Sequence, residues 1–557
     1  MNKQNLKPDL KSVVIELCYQ LAELPSCQHR AGLAGLVLMV QELFKQPGFE
    51  DRGNLILELS DLDQHGVKLT INWEGIKSLF DFTYQSFKEE RSTSTKIKDY
   101  ERIEEVTIEK QGKTALQKMY YYSVTTPQGA FLSYWDNSDS EGNQGLWIKL
   151  WRDMLWNVVR GIPTTRNPFE DRCDGKSSTK DSEEIWKDLN QPNKIAQQKG
   201  NYHLAAASKT ADNIPTQDLA RYQFLLHFAP FIFQIYRPST INKDGNREFS
   251  SYAIVVPDIA NLERFTEEFP QLLKQRDNAK SGYLPREAVI DLVEEGALDV
   301  FILQDRLARA TGEKNMRKSI LGAEVFHAEK AGNSIKFQLI GYVEPVLKMT
   351  DRYAQIKDNY WCPWFRKQRL LNLFNSYLDL NYSEGELKEI PPWNGFDSVL
   401  SRIPRKWLEN TYFSHDAHQL FRQEILLISG ENSMITQSST TREYARIVYD
   451  VCQTYILRKL ESKYSLKWSE CKDDKNKIKE YNEKKTKVAN EAFLAVRSRS
   501  ESQSFIDYFV STLYPFIRRD EFIQFADSLF NKTDEIRSLT LLALSSQFGT
   551  NKGESGE

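Results

Sequence analysis

Cysteine is scarce. Six residues, Cys18, Cys27, Cys173, Cys362, Cys452 and Cys471, are scattered over 557 positions, and no two form a CxxC pair. That excludes a disulfide scaffold, which needs a dense, paired set. The seven histidines are dispersed as well, and only His415 and His418 lie close together. A structural zinc site draws four nitrogen or sulfur ligands from close pairs, so neither a metal nor any other cofactor is expected. Long apolar runs are missing. The longest, Ala31 to Val40, is too short to cross a bilayer and directly follows the polar stretch SCQHR. The N-terminus, MNKQNLKPDLKS, has no signal-peptide core, so a cytoplasmic protein without membrane contact is expected. Charge of one sign is lacking too. The chain holds 74 Lys+Arg against 77 Asp+Glu, a net charge of −3. Any nucleic-acid-binding surface must therefore be a local patch. Walker A, G-x-S-x-G, H-E-x-x-H and kinase signatures are also missing, and no enzymatic activity is expected.

What is present is the composition of a folded, soluble protein, 40% hydrophobic and 27% charged. The length suggests about three to five domains. Ser12–Tyr19 is β-branched and alternating, which predicts a strand. Pro25 and Ser26 open a helix to about Lys45, closed by Pro47-Gly48. Leu55–Leu59 and Val67–Trp73 read as a hairpin, Glu74–Phe87 as a helix, and Ile103–Lys110 with Gln117–Thr125 as a second hairpin turning at Gly112. The order β-α-β-β-α is most of a ferredoxin-like unit. In Leu146–Arg160, Trp147, Leu150, Trp151, Met154, Leu155 and Val158 share one helical face and predict core packing. Lys149, Arg152 and Arg160 lie on or near the other faces and, with Arg166, are candidate contacts for a nucleic-acid backbone. A buried, kinked helix is expected over Thr216–Tyr236, a strand over Ser251–Val256, helices near 258–275 and 285–310, and a hairpin over Gly322–Tyr342. Strand signals nearly vanish after about residue 346, and the chain from about 434 to 547 reads as helical throughout. The expected class is α+β: a mixed N-terminal α/β region of ferredoxin-like character with a long polar insertion, then an all-α C-terminal bundle. The divisions fall at 1–145, 146–345 with the insertion at 161–215, a basic-aromatic helical connector at 346–430, and 431–557.

Three stretches carry candidate chemistry. The polar insertion ends in Gln197, Gln198, Lys199, Gly200 and Asn201. Amides and a lysine can address base edges and phosphates, and glycine lets the backbone come close; a solvated loop is the plainer reading. Lys348–Arg369 carries six cations against Asp351 and Asp358, interleaved with Tyr353, Tyr360, Trp361, Trp364 and Phe365. That mixture suits a single-stranded nucleic-acid track, with Arg366, Lys367 and Arg369 on phosphate; a helix pair with snorkelling cations suits it equally. Arg458–Arg499 holds thirteen Lys/Arg and seven Asp/Glu, and Lys484, Lys485 and Lys487 would give it a basic face. His415-Asp416 matches the dyad of HD phosphohydrolases, but no further ligands accompany it. Asp416 is more simply a helix N-cap.

Several segments resemble one family. LAELPSCQHRAGLAGLV (Leu21–Val37), LWIKLWRDMLWNVVRGIPTTRNPFEDR (Leu146–Arg172), GYLPREAVIDL (Gly282–Leu292) and VFHAEKAGNSIKF (Val325–Phe337) are similar to the large subunit of a type I CRISPR surveillance complex, Cascade, of the MYXAN subtype. Arg166 falls inside the second of these. The resemblance implies a non-enzymatic subunit that recognises a protospacer-adjacent motif (PAM) on double-stranded target DNA, helps to open it and supports the displaced strand. Base pairing with the guide CRISPR RNA reads the rest. Its implied partners are the Cascade backbone and handle-binding subunits and, downstream, a helicase-nuclease or a transposition adaptor. It also implies a small helical subunit. Met434, behind the loop-like Gly430-Glu431-Asn432-Ser433, could start such a product of 124 residues by internal initiation, or be an ordinary loop residue. The competing readings are an HD-type nuclease using His415 and Asp416, and a protein-only scaffold.

Overall fold

The computed structural model describes residues 12–49, 53–110, 113–128, 146–157, 166–197, 204, 217–242, 247–274, 288–311, 319–331, 334–345, 347–378, 390–403, 411–422, 439–517 and 522–548. The fold is mixed, with small sheets in the N-terminal half and helices dominating the C-terminal part. It divides into two compact units, one of residues 1–239 and 249–345, the other of residues 240–248 and 346–557.

The first unit begins with the strand Val14–Gln20, whose alternation buries Ile15, Leu17 and Tyr19. Ser26 caps the helix Cys27–Phe44 by accepting the His29 N–H. This helix is apolar on nearly every face because it is covered all round. Gly32 and Gly35 let it lie directly on the chain at Leu225–Phe228. A Cβ at either glycine would run into the carbonyl oxygen of Leu225 or Phe228. The hairpin Leu57–Ser60/Gly66–Asn72 pairs with the first strand in the order Val14–Gln20, Gly66–Asn72, Leu57–Ser60, all antiparallel. Asn72 accepts the Gly75 and Ile56 N–H groups and so starts the helix Trp73–Thr83.

That completes the expected β-α-β-β-α order, but the next strand does not join this sheet. The helix expected to reach Phe87 stops at Thr83, and Ser86–Thr93 is a strand. It pairs with Lys113–Pro127, which also pairs with Arg102–Lys110, making a separate three-stranded sheet. Over Ser86–Thr93 the alternation is broken by the consecutive exposed residues Glu90, Arg91 and Ser92, so the strand carries a weak period.

The unit's third sheet has five strands in the order Val289–Ile290, Gln234–Pro238, Ser251–Ile259, Ile320–Ala331, Ser334–Val343. Its central strand, Ser251–Ile259, is buried at every position. The kinked helix expected over Thr216–Tyr236 is four short pieces instead: a strand Gln217–Leu219, a helix Ala220–Leu225, a single 3-10 turn Ala229–Phe231 containing Pro230, and the start of Gln234–Pro238. From Phe224 to Tyr236 every residue is buried and nearly all are apolar, so periodicity carries no information there. The helix expected near 285–310 begins only at Glu295, after the short strand Val289–Ile290.

In the second unit, Leu347–Asn359, Pro363–Leu378, Phe396–Arg402 and Thr411–Phe421 are helices, followed by Ser439–Tyr464, Trp468–Cys471, Lys475–Arg497, Ser502–Tyr508, Phe522–Asn531 and Thr533–Ser545. Thr533–Ser545 is buried along most of its length and is the spine around which the others pack. Among the described residues, no helix is long and apolar enough to cross a membrane.

Candidate nucleic-acid interface

The polar insertion contains regular secondary structure. Its first half folds into the helices Arg166–Glu170 and Lys180–Leu189, which pack onto the first unit. Trp186 is fully buried against Trp73, ring centroids 6.4 Å apart. Between the helices, the Arg172 guanidinium is sealed from solvent. It donates to Asp81 at 2.8 Å and to both Asp181 oxygens at 2.8 and 2.6 Å. The Pro168 and Ser178 carbonyls accept its remaining protons. A buried arginine with every donor engaged and two carboxylates beside it is neutralised and satisfied. Arg172, the last residue of the PFEDR run, therefore holds the insertion to the helix Trp73–Thr83.

The second half leaves on a ribbon of two short strands, Ile195–Gln197 and Gln217–Leu219, with Gln197 opposite Gln217. The ribbon is anchored at Asp218. His29, which is buried, bonds it through Nε2 at 2.7 Å and reaches Ser26 Oγ through Nδ1 at 2.8 Å. Geometrically this is a Ser–His–Asp series, used as a tether, since the serine oxygen also caps the helix it precedes. Tyr19 adds a second tie by donating to the Arg221 carbonyl at 3.0 Å. Gln197 is the last strand residue before the tip, while Gln198, Lys199 and Asn201 lie outside the described residues. Two fixed strands thus bracket residues 198–216.

The expected cations divide. Lys149 lies in the helix Leu146–Asn157 and Arg166 opens Arg166–Glu170, with their side chains outside the described residues, as is all of Arg160. Leu150, Trp151, Met154 and Leu155 are buried, as the stripe predicts. Arg152 is buried too: it donates to the Gln128 carbonyl at 3.0 Å and covers the Phe87 ring, and burial pulls its pKa down to about 10. In the connector, Lys367 is exposed, whereas Arg366 and Arg369 are buried, the latter over the Tyr360 ring. The alternation of cations and aromatics reflects guanidinium planes packed on rings, which sequence spacing does not separate from a surface track. On Lys475–Arg497, Lys487 is exposed, Lys484 is half-buried over the Tyr464 ring, and burial pushes the Lys485 amine below the ordinary lysine range. Met434 lies outside the described residues.

The His415-Asp416 pair has a structural use. Asp416 sits inside the helix Thr411–Phe421, so it is not the cap of its own helix. It is fully buried and accepts the N–H groups of Trp361 at 2.9 Å and Cys362 at 2.6 Å, just ahead of the helix Pro363–Leu378. Its other oxygen holds His415 Nδ1 at 3.1 Å. Among the described residues, no group of three or more His, Cys, Asp or Glu could hold a metal ion. Sequence spacing missed this cross-helix cap because its two ends lie more than fifty residues apart.

Residues 56–313 match the family described as the Type I-B CRISPR Cas8b N-terminal domain, and residues 320–547 the Type I-B CRISPR Cas8b C-terminal domain. No curated protein matches the chain. The junction between the matched regions falls just ahead of the strand Ile320–Ala331, inside the first compact unit. Leu21–Val37 lies outside both matches, and the family descriptions name type I-B, not the MYXAN subtype. With the two domains in order along most of its length, the chain belongs to the Cas8b family and is a large subunit of a type I CRISPR complex.

Proposed function

We propose that this large subunit recognises the PAM on duplex DNA, binds the target and supports the opened R-loop, without catalysing a reaction itself. The observation that carries this reading is the tandem match to both Cas8b domains. Guide CRISPR RNA pairs with the target, and the Cascade backbone and handle-binding subunits hold the guide. A helicase-nuclease or a transposition adaptor acts afterwards. The MYXAN subtype rests on the resemblance of the four segments named above.

Within this reading, Gln197, Gln198, Lys199 and Asn201 meet the duplex. The anchored ribbon supports that role, because a base-reading tip needs rigid footing. In this reading the exposed Lys367 and Lys487 and the half-buried Lys484, together with Lys149, Arg160 and Arg166, meet the nucleic-acid backbone. A second product starting at Met434 supplies the small helical subunit, and a Met434→Leu change removes it while sparing the long chain.

Replacing Gln197, Gln198, Lys199 and Asn201 with alanine tests the reading. PAM-bearing duplex binding by the assembled complex should weaken, since each good base contact discriminates by about 1–3 kcal/mol. Guide-RNA assembly should be unaffected. Unchanged affinity for the PAM-bearing duplex rejects the assignment of the tip.

A further inference from the structure

The aromatic group beside Asp416 is used by nothing described so far. Trp361 lies between the helices Leu347–Asn359 and Pro363–Leu378, and 46% of it is exposed. His415 covers one face of the indole, with ring centroids 4.4 Å apart and planes within 8°. Tyr412, 52% exposed, meets the indole edge-on at 6.1 Å. The arrangement is held from beneath. The Asp416 carboxylate fixes the backbone N–H of Trp361 with one oxygen and the His415 ring with the other. A buried carboxylate therefore presets two rings that stand at the surface.

The helix Thr411–Phe421 continues the feature. Tyr412, His415 and Gln419 recur at i, i+3 and i+7, which places them along one face, and Arg422 follows directly after the helix. Gln419 Nε2 lies 3.4 Å from His415 Nε2, consistent with that face. Tyr412 and Arg422 are exposed, and His415 and Gln419 are half-exposed. An apolar docking surface would not lead from an indole to an amide and a guanidinium. A single-stranded nucleic acid suits the series: bases stack on aromatic faces whatever their identity, and cations follow the phosphates.

We propose that Trp361 stacks an unpaired nucleobase on the face His415 leaves open, with Tyr412 bounding the base. Gln419 and Arg422 carry the adjoining backbone along the helix. This deepens the functional reading and rests on it. The base comes either from the displaced DNA strand or from the guide RNA.

The test uses the purified full-length chain and fluorescent oligonucleotides of about 20 nucleotides: oligo-dT, oligo-U and an abasic DNA strand that keeps the phosphates. Trp361→Ala should weaken binding to base-bearing strands roughly 5- to 100-fold and leave the salt slope and the abasic strand unchanged. Trp361→Phe should retain most of the affinity. Arg422→Gln should lower the salt slope by about 0.7, the single-strand value for one phosphate. A defect confined to oligo-dT assigns the base to DNA, and one confined to oligo-U assigns it to RNA. Wild-type affinity in Trp361→Ala overturns the stacking site, as does an equal loss on the abasic strand. Absence of binding to any strand by the wild-type chain overturns the functional reading along with it.

Discussion

The ion pairs enclosed in the α/β unit and those along the long C-terminal helices differ in what they can do. At two places in the α/β unit, arginines and acids are drawn inside. Arg172 is enclosed by Asp81 and Asp181, and Arg30 pairs with Asp258 at 2.6 Å while Tyr342 donates to the same carboxylate at 2.8 Å. In the helical unit's long C-terminal helices, the pairs Lys463–Glu491 and Lys467–Glu461 stand at the surface, and Lys487 projects into solvent. A buried pair is costly to break on one side, whereas a surface pair contributes about 0–1 kcal/mol. These enclosed charges are architecture, whereas the exposed Lys487 is open to a partner. A count of basic residues along the chain treats the two alike.

The contrast is most easily broken at Arg172. Arg172→Met leaves two carboxylates without their cation and should cost about 3–5 kcal/mol, read as a lower unfolding midpoint in denaturant. Adding Asp81→Asn and Asp181→Asn should restore part of the loss. A single variant as stable as wild type would show that the network is not structural.

His227 gives the next largest effect. It is buried beside Phe80 with Nδ1 hydrogen-bonded to the Tyr84 hydroxyl at 2.6 Å, and burial pulls its pKa from 6.5 to about 4. The folded state holds this imidazole neutral, while the unfolded state binds a proton below about pH 6.5. Its contribution is therefore complete above about pH 6.5 and is lost as pH falls toward 4, roughly 3 kcal/mol in all. Unfolding measured from pH 7.5 down to 4.5 should show stability falling more steeply in wild type than in His227→Gln.

Gly32→Ala should follow, at about 1–3 kcal/mol, because the added methyl must push the Cys27–Phe44 helix off the Leu225 carbonyl. A neutral result would mean that helix and chain separate without penalty. The smallest effect on stability belongs to Lys487→Glu, within about 0.5 kcal/mol. If Lys487 meets phosphate, the same change should still lower the salt slope of nucleic-acid binding by roughly 0.7–0.9.

Much of this architecture can be read from sequence where one face is wet and the other dry. The strand Val14–Gln20, the helix opened by Ser26, the hairpin Ile320–Ala331/Ser334–Val343 and the helical C-terminal run all announce themselves by period and capping. Legibility ends where burial is complete, as over 224–236, because apolar residues on every side erase the period. It ends also at the cations. Arg152, Arg366 and Arg369 occupy positions that local spacing assigns to a surface, yet all three are buried, Arg152 against the distant Phe87 and Gln128. The candidate site is legible as composition, amides at the insertion tip and aromatics around Trp361. The Asp218 anchor and the Asp416 clamp are not, since each joins segments far apart in the chain.

The central claim is that this subunit confers PAM-dependent duplex recognition on a guide-RNA complex. It is tested most directly by titrating matched PAM-bearing and PAM-less duplexes against the assembled complex, with and without this chain, at fixed salt. The account predicts that the full complex prefers the PAM-bearing duplex and that the preference disappears when the chain is omitted. An equal preference without the chain would contradict it.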